Sequence, residues 1–253
     1  MNKRKICVVV TARPSYSRIK TVLRSINEHK TLDLQLVLAG STVLSKYGDV
    51  SKIVEDDGFH ISEKLYCMID GDSPTSMAKS TGLSVMDLSN VFAKLQPDLV
   101  ITIADRFETL ATSIASSYQN IPLAHIQGGE VTGSIDEKVR HANTKLADLH
   151  LVATEEAKKR VLKLGENINS VFNVGCPSID IAHELDAKGS LDFDPFKKYK
   201  GVGKKLFLDN GYLVVMQHPV TTEFKDSKEQ VMETIDAIHQ LNMPTLWFWP
   251  NID

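Results

Sequence analysis

DLVITIA, from Asp98 to Ala104, is the stretch of sequence that decides the fold. It is apolar almost throughout and rich in β-branched residues, as a strand covered on both faces of a sheet must be. A helical pattern, Met77–Gln96, precedes this strand and is ended by Pro97. A second helical pattern, RFETLATSIASSYQ, follows the strand. A helix, a buried strand and a helix in succession indicate a parallel sheet with helices on both faces.

The same alternation of short apolar runs and longer helical patterns continues on both sides of this strand. The predicted strands are Lys5–Thr11, Leu34–Gly40, Ile61–Cys67, Asp98–Ala104, Ile121–Gly129, Leu149–Thr154 and Ser170–Gly175. Strands that alternate with helices are joined by right-handed crossovers and pair in parallel. The sequence therefore predicts an α/β fold with a doubly wound, Rossmann-like parallel sheet of about seven strands.

The composition changes after the last of these strands. Asp186–Lys205 is charged and irregular, and the strand and helix patterns then start again near Gly211. We predict a first domain over residues 1–185, a linker over 186–210, and the beginning of a second domain over 211–253. Two strands and one helix bury too little to form a core, so we expect this second domain to be truncated. The aromatic residues from Trp247 to Trp249 are expected to be core.

Charge and cysteine content exclude several classes of protein. The net charge is −3, without the basic patch of a nucleic-acid-binding protein, and the apolar N-terminal run is too short to span a membrane. Cys7, Cys67 and Cys176 are far apart, which indicates a reduced, cytoplasmic protein with no disulfide or zinc site. Because no helix start or basic partner is evident near Cys176, we expect it to be an inert, buried thiol.

The loop after the first predicted strand is a candidate phosphate site. Ligands of open parallel sheets bind at the carboxyl ends of the strands, near the point where strand order reverses. Thr11–Arg18 lies there and is not a GxGxxG turn, which argues against a dinucleotide cofactor. Arg13 and Ser17, at the start of a predicted helix, suit a phosphate group. The alternative is an exposed turn with a capping serine.

Polar residues also follow the central strands. Asp105, before Arg106, is either a catalytic carboxylate or the cap of the next helix. Gln127-Gly128-Gly129-Glu130 either lets a ligand approach the backbone closely or forms a simple tight turn. Asp136 and Arg140 are one helical turn apart, a spacing more typical of a solvated ion pair than of a functional pair.

Two further candidates lie in the second segment. His218, in QHPVTT, follows a predicted strand and is pinned by Pro219, so it either points into a cleft or has a structural role. Asn251 follows the last predicted strand, at the end where ligands bind.

Seven stretches at or near the strand ends form a combined pattern: TARPSYS, YGDV (Tyr47–Val50), DRFETLA, HIQGGEVTGSIDEKVRHANTKLAD, GCPSID, QHPVTTE and WPNID. The combination of GGEVTGSID, RHA and KLA followed by QHPVTT is a specific signal, whereas no single piece is specific. In this order, the stretches resemble those of the hydrolysing UDP-N-acetylglucosamine 2-epimerases of sialic-acid and related nonulosonic-acid pathways.

The resemblance implies a GT-B-type two-domain fold, of which this chain holds the first half, with a sugar nucleotide bound between the domains. The implied substrate-binding residues include Arg13 and Ser17 at the phosphates, with Arg106 nearby, and also Arg140, His141 and Asn251. The implied catalytic residues include Asp105 as an acid or base, Asp136 in proton transfer at the C2 carbon, and His218 at the leaving diphosphate. Gln127 and Glu130 are candidates in the same group.

The implied reaction begins when a base removes the C2 proton while the bond from C1 to UDP breaks, giving a glycal-like intermediate. Water then adds, and protonation of C2 from the opposite face gives free N-acetylmannosamine. No nicotinamide or metal is required, so no cofactor is expected. The expected partners are a nucleotide sugar and other copies of the chain, in a dimer or tetramer, without nucleic acid or membrane.

Three departures from the family pattern bear on activity. Gln127 stands where many relatives have Glu, and because an amide is not a general base, Glu130 or Asp136 would have to replace it. Ile103-Ala104 stands where relatives often have His-Gly, which can change the sugar or nucleotide preference. The chain ends at Asp253, so we expect half of the nucleotide cleft to be missing.

Two other classes of function remain open. A GT-B glycosyltransferase would pass the sugar to an acceptor, whereas the epimerase needs only water. A non-catalytic domain would bind ligand weakly or only assemble with a partner, and Gln127 and the expected truncation favour that alternative for this chain.

Overall fold

The computed structural model describes residues 3–45, 50–71, 73–187, 193–199, 201–204, 206, 211–220, 223 and 225–250. The chain divides into two compact units, Met1–Ala187 and Lys188–Asp253, here called the large unit and the small unit. Tyr47, Gly48 and Asp49 of the YGDV stretch and the candidate Asn251 lie outside the described residues. No described helix combines the length and the apolar composition needed to cross a bilayer.

The large unit contains a seven-stranded sheet in which every pairing is parallel. This confirms the predicted α/β class, the doubly wound parallel sheet and the strand number. The strands are β1 Arg4–Val10, β2 Leu32–Leu38, β3 Ile61–Lys64, β4 Leu99–Ile103, β5 Leu123–Ile126, β6 Leu149–Val152 and β7 Val171–Asn173. The helices are α1 Arg13–Glu28, α2 Val50–Asp56, α3 Pro74–Leu95, α4 Phe107–Tyr118, α5 Ile135–Leu146, α6 Glu155–Lys163 and α7 Pro177–Asp186, with short 3₁₀ turns at Gly40–Val43 and Ile168–Ser170.

The central strands are apolar on both faces because each face covers a separate core. Along β1, Val8 and Val10 pack into one core, whereas Cys7 and Val9 pack into the other, on the opposite face. Neighbouring residues of a strand point to opposite faces, so only a near-continuous apolar run can serve both cores.

The strand order is β3-β2-β1-β4-β5-β6-β7. The chain runs outward from β1 in one direction and then returns to place β4 on its other side, so strand order reverses between β1 and β4. Helices that leave these two strands diverge to opposite faces of the sheet, which opens a crevice at the carboxyl ends. The loops that begin at Thr11 and at Ala104 border this crevice.

The small unit contains a parallel pair of strands, β8 Leu213–Val215 and β9 Thr245–Trp247, with helices α8 Pro195–Tyr199 and α9 Ser227–Leu241. Helix α8 falls within the segment 186–210, which was predicted to be an irregular linker. The domain boundaries predicted from the sequence, 1–185, 186–210 and 211–253, remain predictions. The expectation that the aromatic residues at Trp247–Trp249 are core is wrong, because Phe248 is 53% and Trp249 81% exposed. Two short strands offer too little surface to bury side chains of this size.

Candidate functional site

The candidate site begins where β4 ends. Ala104 has φ +64°, in the left-handed region, and its N–H still donates to the carbonyl of Ile126 at 3.0 Å. The chain then turns through Asp105 into α4, whose N-cap residue is Arg106. The structural alternative for Asp105, that it caps this helix, is therefore wrong. A residue with a β-carbon in the left-handed region is strained, and such strain concentrates at functional sites.

Asp105 forms an ion pair with Arg140 of α5. The Arg140 residue is buried, 4% exposed, and its guanidinium also donates to the carbonyl of Glu130 at 2.8 Å and to Thr132 Oγ1 at 3.4 Å. Burial, with a smaller effect of the nearby Arg18, lowers the Arg140 pKa to about 10, so it remains charged at neutral pH. The expectation that Arg140 is in a solvated pair with Asp136 is wrong, because the packing of α5 turns it inward.

Arg106, next to Asp105, is held by a buried carboxylate on its own helix. Its Nε and Nη2 atoms donate to the two oxygens of Glu108 at 3.2 and 3.1 Å, and Glu108 is 1% exposed. This two-point contact fixes the plane of the guanidinium. Sequence reasoning did not single out Glu108. The only signal for it was an acidic residue in the first turn of a helix, where the helix dipole favours negative charge.

The start of α1 offers the unpaired positive charge of this site. Arg13 lies exposed in the first turn, and the Ser17 hydroxyl donates to its carbonyl at 3.4 Å. Ala12 is the N-cap and provides no side-chain cap, so the predicted capping serine is absent. Within the described part of the chain, Arg13 and Arg18 have no ion-pair partner. A helix start without a side-chain cap, with these two cations in its first two turns, suits an anionic group.

The two glycines after β5 are required by packing within the protein. A β-carbon on Gly129 would lie 2.4 Å from the carbonyl oxygen of Ala157, and one on Gly128 would lie 2.9 Å from Thr144 Oγ1. The turn that carries them begins at Gln127, whose φ is +62°. The glycines thus allow close approach of α5 and α6 to the turn, and their presence does not require a ligand.

The amide of Gln127 contacts Cys176, and the expectation of an inert, buried thiol is wrong. Cys176 is only partly buried and is the N-cap of α7. Burial raises the pKa of its thiol, but hydrogen bonds from the Ser178 and Ile179 N–H groups, the Ser178 hydroxyl and the Gln127 amide outweigh burial and lower the pKa overall. No helix start was evident near Cys176 in the sequence, so its position at the beginning of α7 was missed.

We expect Gln127→Glu to slow alkylation of Cys176 by iodoacetamide at pH 7.5 about fivefold. The substitution removes the amide donor that lies 3.1 Å from the sulfur and adds a negative charge, and both effects raise the thiol pKa and deplete the thiolate. Mass spectrometry of the modified peptide gives the rate. Gln127→Met is the matched control without a charge, and equal rates in all three proteins would contradict the assignment.

The remaining predicted residues of α5 lie in and after its first turn. Ser134 caps the helix at the N–H of Asp136 and also donates to the Asp136 carboxylate at 3.1 Å. Glu137 accepts from the N–H groups of Gly133 and Thr132 at 2.8 and 3.1 Å and lies 3.7 Å from His141. The i,i+4 pair of this helix is therefore Glu137 with His141. Asp136 remains partly exposed and available to a ligand.

His218 is partly buried in the small unit and follows β8, as predicted. Its role stays a prediction, as does that of Asn251. Among the residues that the structure describes, no three His, Cys, Asp or Glu side chains are grouped as a metal site requires.

The chain has the doubly wound parallel sheet of an α/β protein, with cationic and acidic side chains near its switch point, where ligands of such sheets bind. The sequence profile of the family described as UDP-N-acetylglucosamine 2-epimerase matches residues 24–253. The chain belongs to this family.

Individual relatives agree with this assignment. A UDP-N,N'-diacetylbacillosamine 2-epimerase (hydrolyzing) from Legionella pneumophila is 32% identical over 250 residues, 99% of this chain and 64% of the relative. A GDP/UDP-N,N'-diacetylbacillosamine 2-epimerase (hydrolyzing) from Campylobacter jejuni is 30% identical over 98% of this chain and 63% of the relative. The chain therefore spans less than two thirds of these relatives.

Among solved structures, the UDP-GlcNAc 2-epimerase from Neisseria meningitidis bound to UDP-GlcNAc aligns with a TM-score of 0.79 at 18% identity. The alignment covers 96% of this chain and 66% of that structure. At this identity, the similarity establishes the shared fold.

Proposed function

We propose that the protein carrying this chain catalyses the hydrolysing 2-epimerisation of UDP-N-acetylglucosamine, releasing N-acetylmannosamine and UDP. The observation that carries the proposal is the carboxylate of Asp105, which lies at the switch point of a sheet whose family is named for this reaction. Its side chain is 15% exposed and is oriented by the buried Arg140. A fixed carboxylate of limited solvent access is suited to proton transfer.

The reaction needs a second proton-transfer group, since C2 loses a proton on one face and gains one on the other. The resemblance implies that Gln127 stands where many relatives have Glu, but an amide cannot exchange a proton in this way. The carboxylates of Glu130, on the segment between β5 and α5, and of Asp136, in the first turn of α5, are both partly exposed. We assign the second transfer to Asp136, because Ser134 fixes its orientation.

The departing diphosphate needs positive charge that is not already neutralised. Arg13 and Arg18 meet this need, whereas Arg106 is paired with Glu108 and Arg140 with Asp105. We therefore propose that Arg13, Ser17 and the uncapped start of α1 bind the diphosphate, with Arg106 nearby. Charge stabilisation of this kind favours breakage of the bond from C1 to UDP. His218 keeps the same proposed role at the leaving group.

A nucleotide-linked N,N'-diacetylbacillosamine is the second candidate substrate. Two relatives that are at least 30% identical to this chain are named for it. We further propose that the enzyme acts in the cytoplasm as a homo-oligomer and supplies a nonulosonic-acid pathway such as that of sialic acid.

The test is product analysis by proton NMR in heavy water, with UDP-N-acetylglucosamine and with UDP-N,N'-diacetylbacillosamine. The protein is assayed as the whole product of its gene, and Asp105→Asn is the control. Release of UDP together with the C2 epimer, deuterated at C2, supports the proposal. Release of a sugar that retains its C2 configuration and proton would make the protein a simple hydrolase, and transfer to an added acceptor would make it a glycosyltransferase.

A further inference from the structure

A group of fully buried polar side chains lies behind the candidate site, outside the machinery already assigned. The carbonyl of Ala104, the residue before Asp105, accepts from His125 Nε2 at 2.9 Å and from Asn143 Nδ2 at 3.4 Å. His125 lies on β5 and Asn143 on α5, and both are 0% exposed. The strained, left-handed Ala104 is thus held by two side chains from two different elements.

Asn143 also reaches the other side of Asp105. Its amide donates to Thr109 Oγ1 at 2.7 Å, and the Thr109 hydroxyl donates to the carbonyl of Arg106 at 2.6 Å. The Asn143 oxygen accepts from the Ser113 hydroxyl at 2.8 Å. One buried side chain therefore connects to the backbone on both sides of Asp105.

The tautomer of His125 follows from its partners. The carbonyl of Ala104 can only accept, so Nε2 carries the hydrogen, and Nδ1 is an acceptor that faces the Thr144 hydroxyl at 3.1 Å. Burial lowers the His125 pKa to about 4, so the ring is neutral at physiological pH. Arg140, Asn143 and Thr144 lie within about one turn of α5, so a single helix face orients the Asp105 side chain and its backbone.

We propose that His125 and Asn143 are positioning residues, which fix the Asp105 carboxylate by holding the peptide groups on either side of it. The effect of these two residues on turnover rests on the proposed function. Their effect on the segment from Ala104 to Arg106 does not depend on it. Because a displacement of about 1 Å costs on the order of 100-fold in rate, these residues control turnover without touching the substrate.

The first arm of the test is hydrogen exchange in the peptide that covers residues 104–110. We expect at least about tenfold faster exchange in Asn143→Leu and His125→Leu, because the loop loses its anchors. His125→Gln, which keeps a donor near the Nε2 position, should restore most of the protection. Thr109→Val is a milder variant that removes the hydroxyl between Asn143 and Arg106 and leaves both bonds to the Ala104 carbonyl. His150→Gln is the matched control, since His150 is an equally buried residue paired with His125 on the next strand.

The second arm is steady-state turnover of the full-length protein. We expect kcat to fall about 100-fold in His125→Leu with KM changed less than about threefold, and His125→Gln to recover at least about tenfold. Unchanged exchange and unchanged kcat in the leucine variants would overturn the inference while the proposed function stood. Faster exchange in the leucine variants, together with no release of UDP by the wild-type protein, would instead overturn the proposed function and leave the positioning role intact.

Discussion

Asp105→Asn is expected to lower turnover of the nucleotide sugar about a thousandfold, because an amide has the shape of the carboxylate but cannot take or return a proton. The substitution should leave the protein folded. Arg140 keeps its bonds to the Glu130 carbonyl and Thr132, and the asparagine oxygen can still accept from it. We expect a loss of about 2 kcal/mol in the free energy of unfolding, the scale of a hydrogen bond to a charged group. Initial rates of UDP release and urea unfolding measure the two effects.

Asp136→Asn and Glu130→Gln are the matched controls for this prediction. All three variants exchange one carboxylate for an amide, and all three residues are partly exposed. If the assignment is right, Asp136→Asn is also severely impaired, whereas Glu130→Gln retains most of its turnover. Should Asp105→Asn keep more than a tenth of the wild-type rate, Asp105 is a structural partner of Arg140 and not an acid or base.

The position of Asp105 could be predicted from the sequence because it depends on local patterns and on one rule of topology. The apolar run DLVITIA identified a central strand, and the strand in the structure, Leu99–Ile103, ends one residue before the predicted end. The rule that ligands bind at the carboxyl ends of parallel strands then selected the residues that follow. Arg13 and Ser17, after β1, were found by the same argument.

The partners of these residues could not be predicted because they depend on tertiary packing. The spacing of Arg140 suggested Asp136, four residues earlier, but its carboxylate partner is Asp105, which is distant in sequence. Which face of α5 turns inward depends on how the helix crosses the sheet, and the i,i+4 rule does not contain that information. His125 was passed over because it lies within an apolar strand, where one polar residue is easily counted as part of the core.

Cys176 was misjudged for a related reason. Its environment depends on where α7 begins, and element boundaries are the least certain part of an interpretation from sequence. Pro177 occupies the first turn of the helix, a position that proline favours, so the sequence did contain a signal for the helix start.

Arg140→Met is expected to produce the largest loss of stability of any single change at the site, about 4 kcal/mol in the free energy of unfolding. Methionine fills much of the same volume, but it leaves the Asp105 carboxylate in a mostly buried position without its counter-charge and the carbonyl of Glu130 without its donor. Urea unfolding at pH 7 measures the effect. Arg18→Met is the matched control, because Arg18 is exposed near the same position and should change stability by less than about 0.5 kcal/mol.

Arg140→Lys separates charge from geometry. Lysine keeps the positive charge but cannot reproduce the planar, multiple contacts of a guanidinium with Asp105, Glu130 and Thr132, so we expect only partial recovery of stability and little recovery of turnover. A loss below about 1 kcal/mol in Arg140→Met would show that water enters and solvates Asp105.

The double variant Asp105→Asn/Arg140→Met then decides whether the two residues act as a coupled pair. We expect it to be more stable than the sum of the single losses allows, by about 2 kcal/mol, because the second change removes the charge that the first leaves unpaired. Strict additivity would mean that the pair is not coupled, and that Arg140 supports the site through Glu130 and Thr132 alone.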